Sequence, residues 1–136
     1  MKKRILVVDD KTEFSELLQF RLAILNYEVL AAATGTEALN KARSELPDVI
    51  LLDLLLPDLD GLTLCEILRR LPSTRNTPII MITAVTTEAT RAAAKIAGAR
   101  GFLCKPLDFV ELQRQLDAAL ELPPGELQED LLPGSA

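Results

Sequence analysis

Five times along the chain a short aliphatic run gives way to a helical pattern, and this alternation restricts the fold more than any other feature of the sequence. It calls for a parallel sheet with helices on both faces. The predicted strands are Arg4 to Val8, Glu28 to Ala32, Val49 to Leu52, Ile79 to Thr83 and Gly101 to Cys104. The third and fourth read as continuous apolar runs, as strands covered from both sides should.

The helical patterns carry their own start and stop signals. The first sets Phe14, Leu17, Leu18, Leu22 and Leu25 on one face, leaves Phe20 off that stripe and stops at Asn26, a residue that tolerates left-handed backbone. The second opens with a capping box from Thr34 to Glu37 and stops before Pro47. The third runs from about Leu62 to Leu71, with Leu64, Ile67, Leu68 and Leu71 toward the sheet. The fourth begins near Thr86, has an alanine-rich face and ends at Gly98. The fifth takes Asp108 as N-cap, Glu111 to complete the box, and Leu107 with Leu112 as a hydrophobic staple. Residues 1–122 are thus expected to form one domain. Beyond them, 123–136 are rich in proline, glycine and acid and read as a mobile tail or the start of a linker.

Several function classes drop out early. The chain has 136 residues and a net charge of -5, which disfavours nucleic acid or an anionic membrane as a partner and favours another protein. Lys2, Lys3 and Arg4 imitate the start of a signal peptide, but the apolar run behind them ends at once in Asp9 and Asp10. The longest apolar run is broken by Asp53, so no span is expected and the expected location is the cytoplasm. There is no histidine, which removes Ser-His-Asp and Cys-His nucleophile systems, most zinc sites and any phosphohistidine on this chain. Cys65 and Cys104 form no C-x-x-C pair and read as reduced, mostly buried thiols.

In open parallel sheets, ligands bind at the carboxyl ends of the strands, near the point where strand order reverses. Those ends carry Asp9 with Asp10, then Asp53, then Thr83, then Lys105. Asp53 interrupts the apolar segment VILLDLLLP, where a buried carboxylate is costly without a partner or a purpose. Asp10 has an alternative role, because Asp10 to Glu13 is itself a capping box for the first helix; Asp9 has none. Three gathered carboxylates repel one another unless a cation intervenes, and Mg²⁺ suits an all-oxygen site. With Lys105 and Thr83 the cluster makes a phosphoryl site. The carboxylate is the nucleophile, metal and lysine offset charge on the phosphoryl oxygens, and the threonine hydroxyl donates to one of them.

The segments ILVVDD, VILLDLLLPDLDG, PIIMITA and GARGFLCKP stand in one order and spacing, and on them residues 1 to about 122 resemble the receiver domain of bacterial two-component response regulators. The resemblance implies a flavodoxin-like receiver fold, with five parallel strands in order 2-1-3-4-5 and five flanking helices. It implies Mg²⁺ (or Mn²⁺) held by Asp10 and Asp53, with Asp9 acting largely through water and the backbone carbonyl of Leu55 as a further ligand. It implies that Asp53 accepts a phosphoryl group from a histidine kinase or a histidine phosphotransfer protein, that Lys105 contacts this group, and that Thr83 and Phe102 form the switch pair. A downstream protein target or output domain would be engaged through the fourth helix, fifth strand and fifth helix, and the Lys105 to Pro106 peptide would be cis. The chain is then a signalling phosphoacceptor rather than an enzyme.

Two departures from the family pattern are conservative. Leu56 stands where methionine is frequent, and Phe102 lacks the hydroxyl of a tyrosine, so only its ring position can signal. Leu55 and Val85 flank the site as an aliphatic pair unable to hold a hydrolytic water, which implies a long-lived phosphorylated state. An aspartate-nucleophile phosphatase of the haloacid-dehalogenase type would need D-x-D straight after a strand, and the only D-x-D, Asp58 to Asp60, lies beyond Pro57. A receiver-like module that is never phosphorylated usually lacks the aspartates or the lysine; all are present here.

Overall fold

A computed structural model describes residues 2–121, and the tail expected over 123–136 lies outside the described residues. Strands and helices alternate as β1 (Arg4–Val8), α1 (Thr12–Ile24), β2 (Glu28–Ala32), α2 (Gly35–Glu45), β3 (Val49–Leu52), α3 (Gly61–Arg70), β4 (Ile79–Thr83), α4 (Glu88–Ala97), β5 (Gly101–Cys104) and α5 (Phe109–Glu121). All five strands occupy the predicted ranges. They pair in parallel in the order β2-β1-β3-β4-β5.

The two-residue period of the strands splits the core into two layers. Leu6, Val8, Ile50, Leu52, Ile79 and Met81 pack with Leu64, Leu68 and Ala94 on the α2, α3 and α4 side. Ile5, Val7, Val49, Leu51, Ile80 and Leu103 pack with Leu18, Leu22, Leu112 and Leu116 on the α1 and α5 side. Strands buried on both faces need apolar residues at every position, which is why β3 and β4 stand out in the sequence.

Most helix ends follow their local signals. The Thr34 hydroxyl accepts from Glu37 N–H at 3.0 Å, the Thr87 hydroxyl accepts from Thr90 N–H at 3.1 Å, and Asp108 accepts from Val110 and Glu111 N–H at 2.9 and 3.2 Å. Asn26 is left-handed with φ 73. Three expectations are corrected. Asp10 does not cap α1: the helix begins at Thr12, so the N-cap position falls on Lys11, without a side-chain cap bond, and Asp10 lies one residue outside it, while the carboxylate of Asp9 takes the Lys11 N–H at 2.8 Å. Glu111 does not close a box with Asp108; its carboxylate is drawn to Arg114 and Gln115, which lie one turn along the same helix. The stripe on α1 is narrower than expected, since Ser15, Leu18 and Leu22 are buried while Leu17 and Leu25 are 47% and 50% exposed. Leu17 falls about 100° around the helix from Leu18, beyond the arc the sheet covers.

A guanidinium ties the ends of α3 and α4 together. Arg69 Nε donates to the Gly98 carbonyl at 3.1 Å, and Nη1 donates to the carbonyls of Thr77 and Arg75 at 2.8 and 3.2 Å. Burial pushes its pKa below the ordinary arginine value. Gly98 ends α4 with φ 109, where a Cβ would also meet the Arg69 side chain at 2.8 Å.

Candidate functional site

Strand register brings the polar strand ends to one level. Val8 pairs with Leu52 and Leu52 with Met81, so Asp9 and Asp53, one residue further, lie side by side. The ladders extend to them: Asp53 N–H donates to the Val8 carbonyl at 3.0 Å, Asp9 N–H to Ala32 at 3.1 Å and Lys105 N–H to Thr83 at 3.0 Å. Asp9, Asp53 and Lys105 share the parity of Val7, Leu51 and Leu103 and therefore turn to the α1 and α5 side. Asp10, Thr83 and Phe102 have the opposite parity.

The three like-facing groups meet. Lys105 Nζ donates to Asp9 Oδ2 at 2.7 Å and to Asp53 Oδ2 at 3.1 Å. Both carboxylates are 4% exposed, and Nζ also lies 4.2 Å from the centroid of the Phe14 ring. Burial pulls the Lys105 pKa down, but the hydrogen bonds it donates to Asp9 and Asp53 and their charges outweigh it, leaving the value above that of free lysine. The Lys105–Pro106 peptide is cis. One cation thus serves two buried anions, and the group carries one negative charge in excess.

The loop after β3 fixes the second oxygen of Asp53. Its Oδ1 accepts from Leu55 N–H at 3.2 Å. Behind it, Gly61 N–H donates to the Leu54 carbonyl at 2.8 Å. A Cβ at Gly61 would meet the Asp53 carbonyl and lie 2.7 Å from Leu54 Cα. Glycine there is a condition for the position of Asp53. Further along, Asp58 accepts from Gly35 N–H at 2.7 Å, Thr36 N–H at 3.0 Å and the Thr36 hydroxyl at 2.8 Å. It pins this loop to the start of α2, and those hydrogen bonds hold its carboxyl below the usual aspartate value.

The remaining candidates are placed less tightly. Asp10 turns outward, with a carboxylate oxygen 3.7 Å from Lys11 Nζ, so the expected gathering of three carboxylates is not formed: among the described residues no group of three His, Cys, Asp or Glu could hold a metal ion as it stands. Lys105 occupies the space between the other two. The donors nevertheless suit a hard cation, being carboxylate and carbonyl oxygens around excess negative charge. Thr83 is fully buried, and its hydroxyl accepts from Val85 N–H at 3.2 Å. Phe102 is half-buried beneath Arg91, whose guanidinium lies 4.6 Å over the ring and donates to Cys104 Sγ at 3.2 Å. Leu55 is 56% exposed, and Val85 is half-buried.

Asp58, Gly61, Phe14 beside Lys105 and Arg91 over Phe102 form a supporting set that sequence reasoning did not assign. Gly61 had a usable signal, a glycine directly after Asp60, whose carboxylate accepts from Leu62 and Thr63 N–H and caps α3. The others depend on partners 11 or more positions away, which local patterns do not reveal. Among the described residues no helix is long and apolar enough to cross a membrane.

Comparison with known proteins agrees with this fold. Residues 5–117 match the family model described as the response regulator receiver domain. The response regulator PleD of Caulobacter vibrioides is 44% identical over 112 residues, covering 82% of this chain and 25% of PleD. The chain spans between a quarter and about half the length of several curated relatives it matches. A crystal structure of a putative response regulator from Chloroflexus aurantiacus aligns with TM-score 0.84 and 38% identity over 88% of this chain and 98% of that one. The receiver domain of sensor histidine kinase PA1611 from Pseudomonas aeruginosa, with a magnesium ion coordinated in its active-site cleft, aligns with TM-score 0.82 and 32% identity over 88% of this chain and 98% of that one.

Proposed function

Because the chain belongs to the response regulator receiver family, we propose that it accepts a phosphoryl group on Asp53 and changes its partner-binding surface in response. The observation that carries this reading is the Lys105 ammonium bonded at once to Asp9 and Asp53 at the carboxyl edge of the sheet. Oδ2 of Asp53 attacks the phosphorus of a phosphohistidine on a histidine kinase or a histidine phosphotransfer protein. A P–O bond forms, the P–N bond breaks, and the imidazole leaves with its electron pair and takes a proton from water. Lys105 follows the charge, moving from the Asp53 carboxylate to the new phosphoryl oxygens. Leu55 N–H, bonded to the other Asp53 oxygen, holds the carboxylate in line.

Asp9, Asp53, the Leu55 carbonyl and Asp10, once its side chain rotates inward, are the residues that would hold Mg²⁺ or Mn²⁺. When bound, the ion supplies positive charge that lets an anionic donor approach the acidic site. On the opposite parity, the Thr83 hydroxyl leaves Val85 N–H for a phosphoryl oxygen, and Phe102 turns into the space released beneath Arg91. This remodels the surface of α4, β5 and α5, the face assigned to a downstream target or output domain.

Intact-mass spectrometry after treatment with a small phosphodonor tests the proposal. One added phosphoryl group is expected with divalent metal and none in Asp53→Asn. Equal labelling in excess chelator would remove the metal from the scheme. Binding of beryllium fluoride should move the amide resonances of Arg91, Lys95 and Phe102; silence there would place the output face elsewhere.

A further inference from the structure

The side of α1 turned away from the sheet is more apolar than a solvated helix face. Leu17, Phe20 and Ile24 are 47%, 64% and 65% exposed, and their spacing of three then four residues draws a seam along the outer surface. A cleft beside it runs between α1 and α5, with Ile24 and Leu25 on one wall and Val110, 80% exposed, on the other. Scattered apolar side chains need no explanation, but a stripe continuous with an apolar cleft does. Its charged borders say what covers it. Glu16 and Arg21 flank opposite sides of the seam, five residues apart. Among the described residues neither has an ion-pair partner. Arg21 is held in place by the Phe109 ring, 3.9 Å from its guanidinium.

Opposite charges on the two borders of one apolar stripe fit a second copy of the same stripe. When two such helices pack side by side in parallel about a two-fold axis, the Glu16 border of each meets the Arg21 border of the other, and both pairs form together. We infer that α1, with the adjoining wall of α5, is the interface of a homodimer in which Leu17, Phe20 and Ile24 pack across the two-fold and Glu16 pairs with Arg21 of the second copy. Glu13 lies at the solvated end of the seam and meets its own copy, an unfavourable contact that keeps the association modest. The inference does not depend on phosphorylation of Asp53.

Sedimentation velocity across the micromolar to millimolar range tests it. Wild type should pass from monomer to dimer, and Phe20→Ser should raise the dissociation constant about thirty-fold or more, as for a central aromatic anchor. Glu16→Lys and Arg21→Glu should each dissociate the dimer, and mixing these two variants should restore it as a heterodimer, since each then supplies the charge the other lacks. Glu13→Gln should tighten it. A wild type that stays monomeric throughout, or a dimer indifferent to Phe20→Ser, overturns the inference, as does a mixture of the two charge variants that fails to associate. A monomer whose Phe20→Ser form loses phosphoryl transfer from a kinase helix would assign the stripe to the phosphodonor instead.

Discussion

Replacing the acceptor carboxylate by its neutral isostere, Asp53→Asn, is expected to stabilise the protein in metal-free solution. Asp9 and Asp53 are buried to the same degree and share one ammonium. Their acceptor oxygens sit 2.7 and 3.1 Å from Lys105 Nζ and therefore at most about 6 Å apart, where two unit charges repel by about 3 kcal/mol at an effective dielectric of about 20. On the same scale the attraction of Asp53 to the ammonium is about 5 kcal/mol, while stripping water from a carboxylate costs several kcal/mol. The two costs together exceed the attraction. Asparagine sheds the repulsion and the charge desolvation, gives up one accepted hydrogen bond for about 1 kcal/mol, and leaves Lys105 paired with Asp9 alone. The expected net gain is about 1 to 2 kcal/mol. Urea unfolding in chelator should show a higher midpoint at unchanged slope. Lys105→Met is the reverse case: two buried carboxylates lose their cation, at a cost of about 3 kcal/mol or more that added Mg²⁺ should partly recover. An Asp53→Asn protein less stable than wild type in chelator would refute the excess-charge reasoning.

Three further outcomes follow from the same structure. Gly61→Ala should cost about 1 to 3 kcal/mol in urea unfolding and slow phosphorylation, because its Cβ forces the backbone of Asp53 and Leu54 to shift. Asp58→Ala should lower the melting temperature at neutral pH. Its folded pKa lies below the ordinary 3.8, so its contribution is present above that value and is lost as pH falls through the folded one; thermal scans of the two proteins should converge in strong acid. Leu55→Asn with Val85→Glu should shorten the life of the phosphorylated state by about tenfold through placement of a water, and decay no faster than wild type would free these residues from that role.

The strands were legible because β3 and most of β4 are continuous apolar runs, and Asp53 was legible because it breaks such a run. Asp53 is conspicuous in sequence for the reason it is useful in the fold. The α1 stripe was misread since the helix bears apolar residues on two sides, and periodicity does not tell which side meets the sheet. The Asp10 cap failed by one residue: the box is correct by spacing, but α1 begins at Thr12 with Lys11 as its N-cap, which leaves Asp10 outside the first turn. Asp58 was hidden for a different cause, since its three donors lie on Gly35 and Thr36, brought near only after β1, β2 and β3 have paired.

Arg69 makes α4 a lever with its fulcrum at the far end. The guanidinium holds the Gly98 carbonyl and the Cys65 thiol reaches that of Ala97 at 3.4 Å, while Thr86, Thr87 and Glu88 at the opposite end are exposed. On the proposed switch, a pull from Thr83 would therefore tilt the helix rather than slide it. Over a rod about 15 Å long, 1 Å of travel at Thr87 is a swing of about 4°, shrinking to about 0.6 Å at Arg91 and almost nothing at Ala97. Arg91 rides on the moving portion, and the ring beneath it belongs to β5, which stays with the sheet. The proposed stroke would be read out as a change in how far the guanidinium overlaps that ring, so amide shifts on activation should fade from Glu88 through Arg91 and Lys95 to Ala97, and a uniform shift along α4 would mean the fulcrum is not at Arg69.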